Sequence, residues 1–143
     1  MAFSTIGFYN ENSGFKPKQI KKIREWILAV ILAEGKSAGE ISFIFCDDNY
    51  LHEMNVKYLS HDTLTDVITF DYSEENRISG DVFISIDRVR ENAVNFTKPL
   101  DEEIHRVMVH GVLHLCGFKD KTKKDSAIMR HKEETYLALF LQC

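Results

Sequence analysis

The eleven residues His110-Gly111-Val112-Leu113-His114-Leu115-Cys116-Gly117-Phe118-Lys119-Asp120 constrain this chain more than any other stretch. Two histidines stand four apart inside an apolar run. On an α-helix, residues at that spacing share a face, so two imidazoles can grip one ion. Burying both rings without a partner would cost on the order of several kcal/mol. Gly117 tolerates the left-handed conformation that ends a helix. The turn it permits can bring Asp120 back to the same point. Two imidazole nitrogens and a carboxylate oxygen, with a fourth position open, form the ligand set of a catalytic zinc site.

The surrounding chain is built to bury such a helix. Its 143 residues suit one domain, 1–143, with a single core. Hydrophobic residues make up 44% and charged residues 28%, the balance of a globular protein. The longest strongly apolar run, Trp26 to Ala33, is too short to cross a bilayer. Met1 to Ile6 lacks a positive leader and a small-residue cleavage site, so a cytoplasmic location is expected. Cys46, Cys116 and Cys143 form no CxxC pair, which fits a reducing compartment. The net charge of −4 argues against a general nucleic-acid clamp, so RNA contact would need a local basic patch.

Read in order, the chain predicts an edge strand over Phe3–Tyr9 and an amphipathic helix over Lys18–Glu34. In that helix Ile20, Ile23, Trp26 or Ile27, Val30 and Leu32 lie at helical spacing. A strand follows over Ile41–Cys46, then a helix capped by Asp47 or Asp48 that runs to about Tyr58. Val67–Tyr72 is apolar on both faces and reads as a strand inside the sheet. Asp81–Ile86 is a further strand, and a helix starts at Asp87. Pro99 opens the central helix, with Asp101, Glu102 and Glu103 in its favourable first turn.

On that helix Glu103, Arg106, His110 and His114 share one narrow stripe at about 100° per residue. His105 falls off the stripe and reads as surface. Cys116 points away from the histidines and reads as core. A last helix, about Lys123–Leu141, packs Ile128, Tyr136, Leu139 and Phe140. The order implies an α+β fold: a single domain with a small, about four-stranded mixed sheet packed with helices around a central buried metal-binding helix.

The spacing resembles the peptidase signature H-E-x-x-H, but Gly111 occupies the position of the catalytic glutamate. A peptidase is therefore disfavoured. Gly111 instead leaves room for a close approach by backbone or substrate.

Three stretches resemble the YbeY-type endoribonucleases, the ribosomal RNA maturation factors. His110 to Asp120 is similar to that family's H-G-x-L-H-L-x-G-Y-D-H. Asn55 to Phe70 is similar to its N-x-x-Y-R-x-x-D-x-P-T-D-V-L-S-F, and Gly80 to Ser85 to its G-D-I-x-I-S. The resemblance implies a cytoplasmic, single-strand-specific endoribonuclease holding one zinc per chain. It also implies action on ribosomal RNA of the small subunit, including 3′-end maturation of 16S ribosomal RNA, and ribosome quality control, with ribosome-assembly proteins as partners. The metal ligands it implies are His110, His114 and the residue at the third position. That residue is Asp120 where the family has histidine, and carboxylate is an acceptable ligand.

The family's arginine after the tyrosine is Leu59, which cannot hold a phosphate in bidentate fashion. His61, Arg77, Lys119 and Lys121 are candidates to replace it. With His114, the residues His61, Lys119 and Lys121 make up the expected catalytic set. Lys123, Lys124, Arg130 and Lys132 extend the basic cluster beyond Asp120. A second reading is a non-catalytic, zinc-stabilised ribosome-assembly factor, which Leu59 favours.

Overall fold

A computed structural model describes residues 5–59 and 65–143. Strand β1 (Thr5–Glu11) leads to helix α1 (Ile20–Ala33) and strand β2 (Ser37–Cys46). Helix α2 (Asp48–Leu59) follows, then strands β3 (Val67–Asp71) and β4 (Arg77–Ser85). Helices α3 (Ile86–Asn95), α4 (Leu100–Leu115) and α5 (Lys123–Phe140) complete the chain. The sheet order is β1-β2-β4-β3. β1 and β4 lie parallel to β2, and β3 lies antiparallel to β4, so the sheet is mixed as its sequence predicts.

Alternation along the strands divides the side chains between two faces. In β4, Ile78, Val82 and Ile84 are buried, while Asp81 and Phe83 on the other face are half-buried. The first face carries the main core, where Phe43, Phe45, Val82 and Ile84 meet Trp26, Ile27 and Ile31 of α1 and Met108 and Val112 of α4. Trp26 is fully buried, and its indole N–H donates to the Tyr136 carbonyl at 2.7 Å, tying α1 to α5. The second face carries a smaller cluster of Cys46, Leu51 and Ile68 beneath α2, joined by Phe70 and Phe83.

Several placements differ from those the sequence predicts. β3 is an edge strand, not an interior one. It is apolar on both faces because α4 covers one and α2 the other, without a further strand beside it. His105 is buried, 8% exposed, with its ring 4.1 Å from that of Phe140 and 5.8 Å from that of Trp26. The helical stripe defines only one face of α4, and α1 and α5 cover the other. Leu32 is 70% exposed while Ile31 takes its place in the core. Ile128 is likewise exposed, and Met129, Glu133, Tyr136 and Phe140 form the buried face of α5. Asp47 caps α2, accepting from the Tyr50 N–H at 2.8 Å. α3 starts at Ile86, one residue before the predicted Asp87, with Ser85 as its cap.

α4 lies directly against the sheet. A Cβ placed on Gly111 would stand 2.7 Å from Cγ1 of Val82 and 3.4 Å from Cγ2 of Thr69. The missing side chain therefore admits the sheet, not a substrate. This contact fixes the height of α4, and with it His110 and His114 on either side of the glycine. No helix among the described residues is long and apolar enough to cross a membrane.

Candidate metal centre

The C-terminus of α4 builds the site through its cap. Gly117 adopts φ 104°, and the Phe118 N–H reaches back to the Leu113 carbonyl at 3.0 Å. The Gly117 N–H bonds the His114 carbonyl at the same distance, which completes a Schellman motif. The chain reverses there and returns past the helix end. Thr122 then caps α5 by accepting from the Asp125 N–H at 3.0 Å. The Ser126 hydroxyl donates to the Asp120 carbonyl at 2.8 Å, so the α5 start pins the loop backbone at Asp120.

Three side-chain atoms converge as a result. His110 Nε2 and His114 Nε2 are 3.0 Å apart. Asp120 Oδ2 lies 3.3 Å from the first and 3.5 Å from the second. Zinc ligands on arms of about 2.0–2.2 Å at tetrahedral angles stand about 3.3–3.6 Å apart. The triangle is close to one face of that tetrahedron.

The outer nitrogens set which lone pairs face inward. His114 Nδ1–H donates to the Phe118 carbonyl at 2.9 Å. His110 Nδ1–H donates to Glu133 Oε2 at 2.7 Å. With both Nδ1 atoms acting as donors, both Nε2 atoms present lone pairs to each other and to a carboxylate oxygen. Three acceptors pointed at one another need a cation or a proton between them. Fixing an imidazole through its second nitrogen is also how metal-bound histidines are ordinarily oriented. The donor set therefore fits a divalent ion that accepts imidazole and carboxylate.

Glu133 is buried, 8% exposed, and its second oxygen accepts from Arg106 Nη1 at 3.1 Å. Arg106 Nη2 in turn bonds Glu134 at 2.6 Å. A chain of alternating charge thus runs from the surface to His110. Burial disfavours charge on His110, but bonded Glu133, with Asp120 and Asp66 beyond, outweighs it and raises the pKa. Burial lowers the pKa of His114, and the neighbouring His110 adds to that effect.

A cavity of about 260 Å³ opens beside His110 and Asp120, lined by Asp66, Glu103, Arg106 and Glu133 among others. Asp66 accepts from Asn92 Nδ2 at 3.2 Å, and burial raises its pKa. Burial likewise raises the pKa of Glu103.

The structure brings together His110, His114 and Asp120, and adds Arg106 and Glu103 from the predicted helical stripe. Lys119 and Lys121 flank Asp120 on the exposed loop. His61 lies outside the described residues. Arg77 lies away from the centre, in a cavity with Glu40, Glu74 and Asp81 at the start of β4. Asp81 is on the sheet face opposite α4. Glu133 and Asp66 were not singled out by sequence reasoning. Glu133 carries a faint signal, because it interrupts the otherwise apolar face of α5 that runs through Met129, Tyr136 and Phe140.

A family model described as Endoribonuclease YbeY matches residues 6–140. A relative of that name from Flavobacterium psychrophilum is 55% identical over 132 residues, which is 92% of this chain and 94% of that protein. Another, from Christiangramia forsetii, is 51% identical over 135 residues, 94% of each chain. A solution structure from Thermotoga maritima superposes with a TM-score of 0.68 at 27% identity, covering 95% of this chain and 89% of that one.

Proposed function

The chain belongs to the endoribonuclease YbeY family, and from that premise we propose that it is a zinc-dependent, single-strand-specific endoribonuclease acting in ribosomal RNA processing. Residues 1–143 form one hydrolase-like unit in this reading. Its substrate is ribosomal RNA of the small subunit, including the 3′ end of 16S ribosomal RNA, and it works in the cytoplasm beside ribosome-assembly proteins. The observation that carries the reading is the convergence of two inward-facing imidazole lone pairs and one carboxylate oxygen.

His110, His114 and Asp120 would hold the ion. When bound, zinc supplies Lewis-acid polarisation of a phosphoryl oxygen and a water acidic enough to ionise near pH 7. Glu133 orients the His110 ring and keeps its Nδ1 protonated. The Phe118 carbonyl does the same for His114. Lys119 and Lys121 border the centre and supply the positive charge that a phosphodiester backbone requires. His61 belongs to the same proposed set. Leu59 offers no guanidinium, and Arg106, the arginine beside the ligands, is already paired with Glu103, Glu133 and Glu134.

That pairing, with Leu59, favours a second reading: a ribosome-assembly factor in which the ion only ties α4 to the loop before α5. Incubation of the metal-loaded protein with single-stranded ribosomal RNA separates the two. Cleavage by the parent that disappears in His110→Ala supports the enzyme. Retained RNA binding with no cleavage, across metals and salt concentrations, supports the assembly factor.

A further inference from the structure

The sheet face turned away from the three ligands carries another cavity, of about 560 Å³, between α2 and strands β3 and β4. Its volume lies in the range of sites that enclose small planar ligands. Five aromatic rings line it: Tyr50, Tyr58, Phe70, Tyr72 and Phe83. Phe70 and Phe83 meet edge to face at 5.8 Å, and Tyr58 meets Phe70 in the same way at 5.9 Å. These contacts form an aromatic floor. Tyr58 and Tyr72 are 56% and 59% exposed, so much of each ring is left to solvent. Hydrophobic burial does not account for two tyrosines held open at a cavity mouth.

The polar groups narrow the ligand. Asp81 and Tyr72 stand together on the cavity wall, where burial and the nearby Asp81 carboxylate raise the pKa of the Tyr72 hydroxyl. Glu53 adds a second carboxylate, and Lys57 stands with its ammonium 5.1 Å from the Tyr58 ring centroid. Two carboxylates exclude a phosphate from the interior. They accept hydrogen bonds from an amino group on a planar ring, as acidic side chains do from the exocyclic amine of cytosine. Lys57 is then placed to meet a phosphate outside. A flat, amino-bearing ring joined to an anion matches this combination of acceptor, aromatic faces and outer cation.

We propose that this cavity holds one unpaired, amino-bearing nucleobase of the RNA strand, stacked on the tyrosines at its mouth and read by Asp81. The proposal rests on the ribonuclease reading and extends it. A strand engaged at the metal centre passes the β3 edge and anchors a base on the opposite face. Base–aromatic stacking tolerates many sequences, while the carboxylate distinguishes bases with an amino group from uracil.

The test is binding of fluorescent oligocytidine and oligouridine to the zinc-loaded full chain, for the parent, Tyr72→Ala, Tyr72→Phe and Asp81→Asn. Tyr72→Ala is expected to weaken oligocytidine about fivefold or more, and Tyr72→Phe, which keeps the ring, substantially less. Asp81→Asn is expected to erase the preference for cytidine over uridine. Zinc content and melting temperature should stay at the parent level in all three, which separates the effect from misfolding. Unchanged binding and cleavage in every variant, with an active parent, overturns the cavity proposal and leaves the nuclease reading standing. A parent that neither binds nor cleaves RNA overturns both. If an arginine-bearing peptide binds the parent but not Asp81→Asn, and oligonucleotides show no difference, the cavity serves a protein partner and the proposal fails.

Discussion

Glu133 bears on the candidate centre through His110 and is not one of the three converging groups. Its carboxylate fixes the His110 ring from behind, at 2.7 Å from Nδ1, while Arg106 holds its other oxygen. Glu133→Gln keeps the shape and removes the charge. The expected result is a loss of about 10- to 100-fold in zinc affinity, measured against a competing chelator, with the fold intact. An unchanged affinity would mean that His110 is oriented by its own helix alone. Gly111 makes a different prediction. Gly111→Ala pushes a methyl into Val82 and should cost about 1–3 kcal/mol in urea unfolding, through overpacking between α4 and β4. His110, His114 and Asp120 were legible in the sequence because a single helix and its cap bring them together. Glu133 and Asp66 were not, because they come from α5 and from the residue just before β3, and only the packing of those segments on α4 reveals them.

At the scale of elements, residue patterns match the order of the five helices and four strands among the described residues, although β2 and β4 begin at Ser37 and Arg77, before the predicted Ile41 and Asp81, and they did not reveal what covers each element. The apolar faces of β3 suggested neighbouring strands, and the structure supplies helices instead. His105 falls off the helical stripe of α4 taken alone, but Trp26 and Phe140 close over it in the fold. The same packing ties distant elements to the site. Glu34, at the end of α1, accepts from Lys132 at 2.9 Å and from the Tyr136 hydroxyl, both on α5. The Lys132 ammonium lies 4.7 Å from the ring centroid of Phe118, whose carbonyl holds His114. Glu34→Ala leaves both partners unpaired and is expected to cost about 1–3 kcal/mol in thermal unfolding. It should also weaken zinc binding, by releasing the loop that carries Phe118 and Asp120. Destabilisation with unaltered zinc affinity would show that α1 and the loop are not coupled.

For the whole molecule, the decisive quantity is the charge gathered near the centre. Asp66, Glu103, Asp120 and Glu133 line one cavity with Arg106. Burial raises the pKa values of Asp66 and Glu103, so the folded chain holds these protons at pH values where the unfolded chain has lost them. Their contribution to stability is therefore fully present below the ordinary carboxylate pKa of about 4 and is lost as pH rises through the raised folded values. Asp66→Asn removes that penalty. In the zinc-free protein its stability advantage over the parent should grow from pH 4 to pH 7, followed by chemical denaturation. A constant difference would contradict a raised pKa. A divalent ion offsets the same charge, which makes metal binding and folding mutually supportive.

Elemental analysis of the purified parent, His114→Ala and Asp120→Ala proteins measures the central claim most directly. About one zinc per parent chain, with almost none in either variant, is the predicted result. Full zinc retention in both variants would contradict the assignment of the three converging atoms as the metal's ligands.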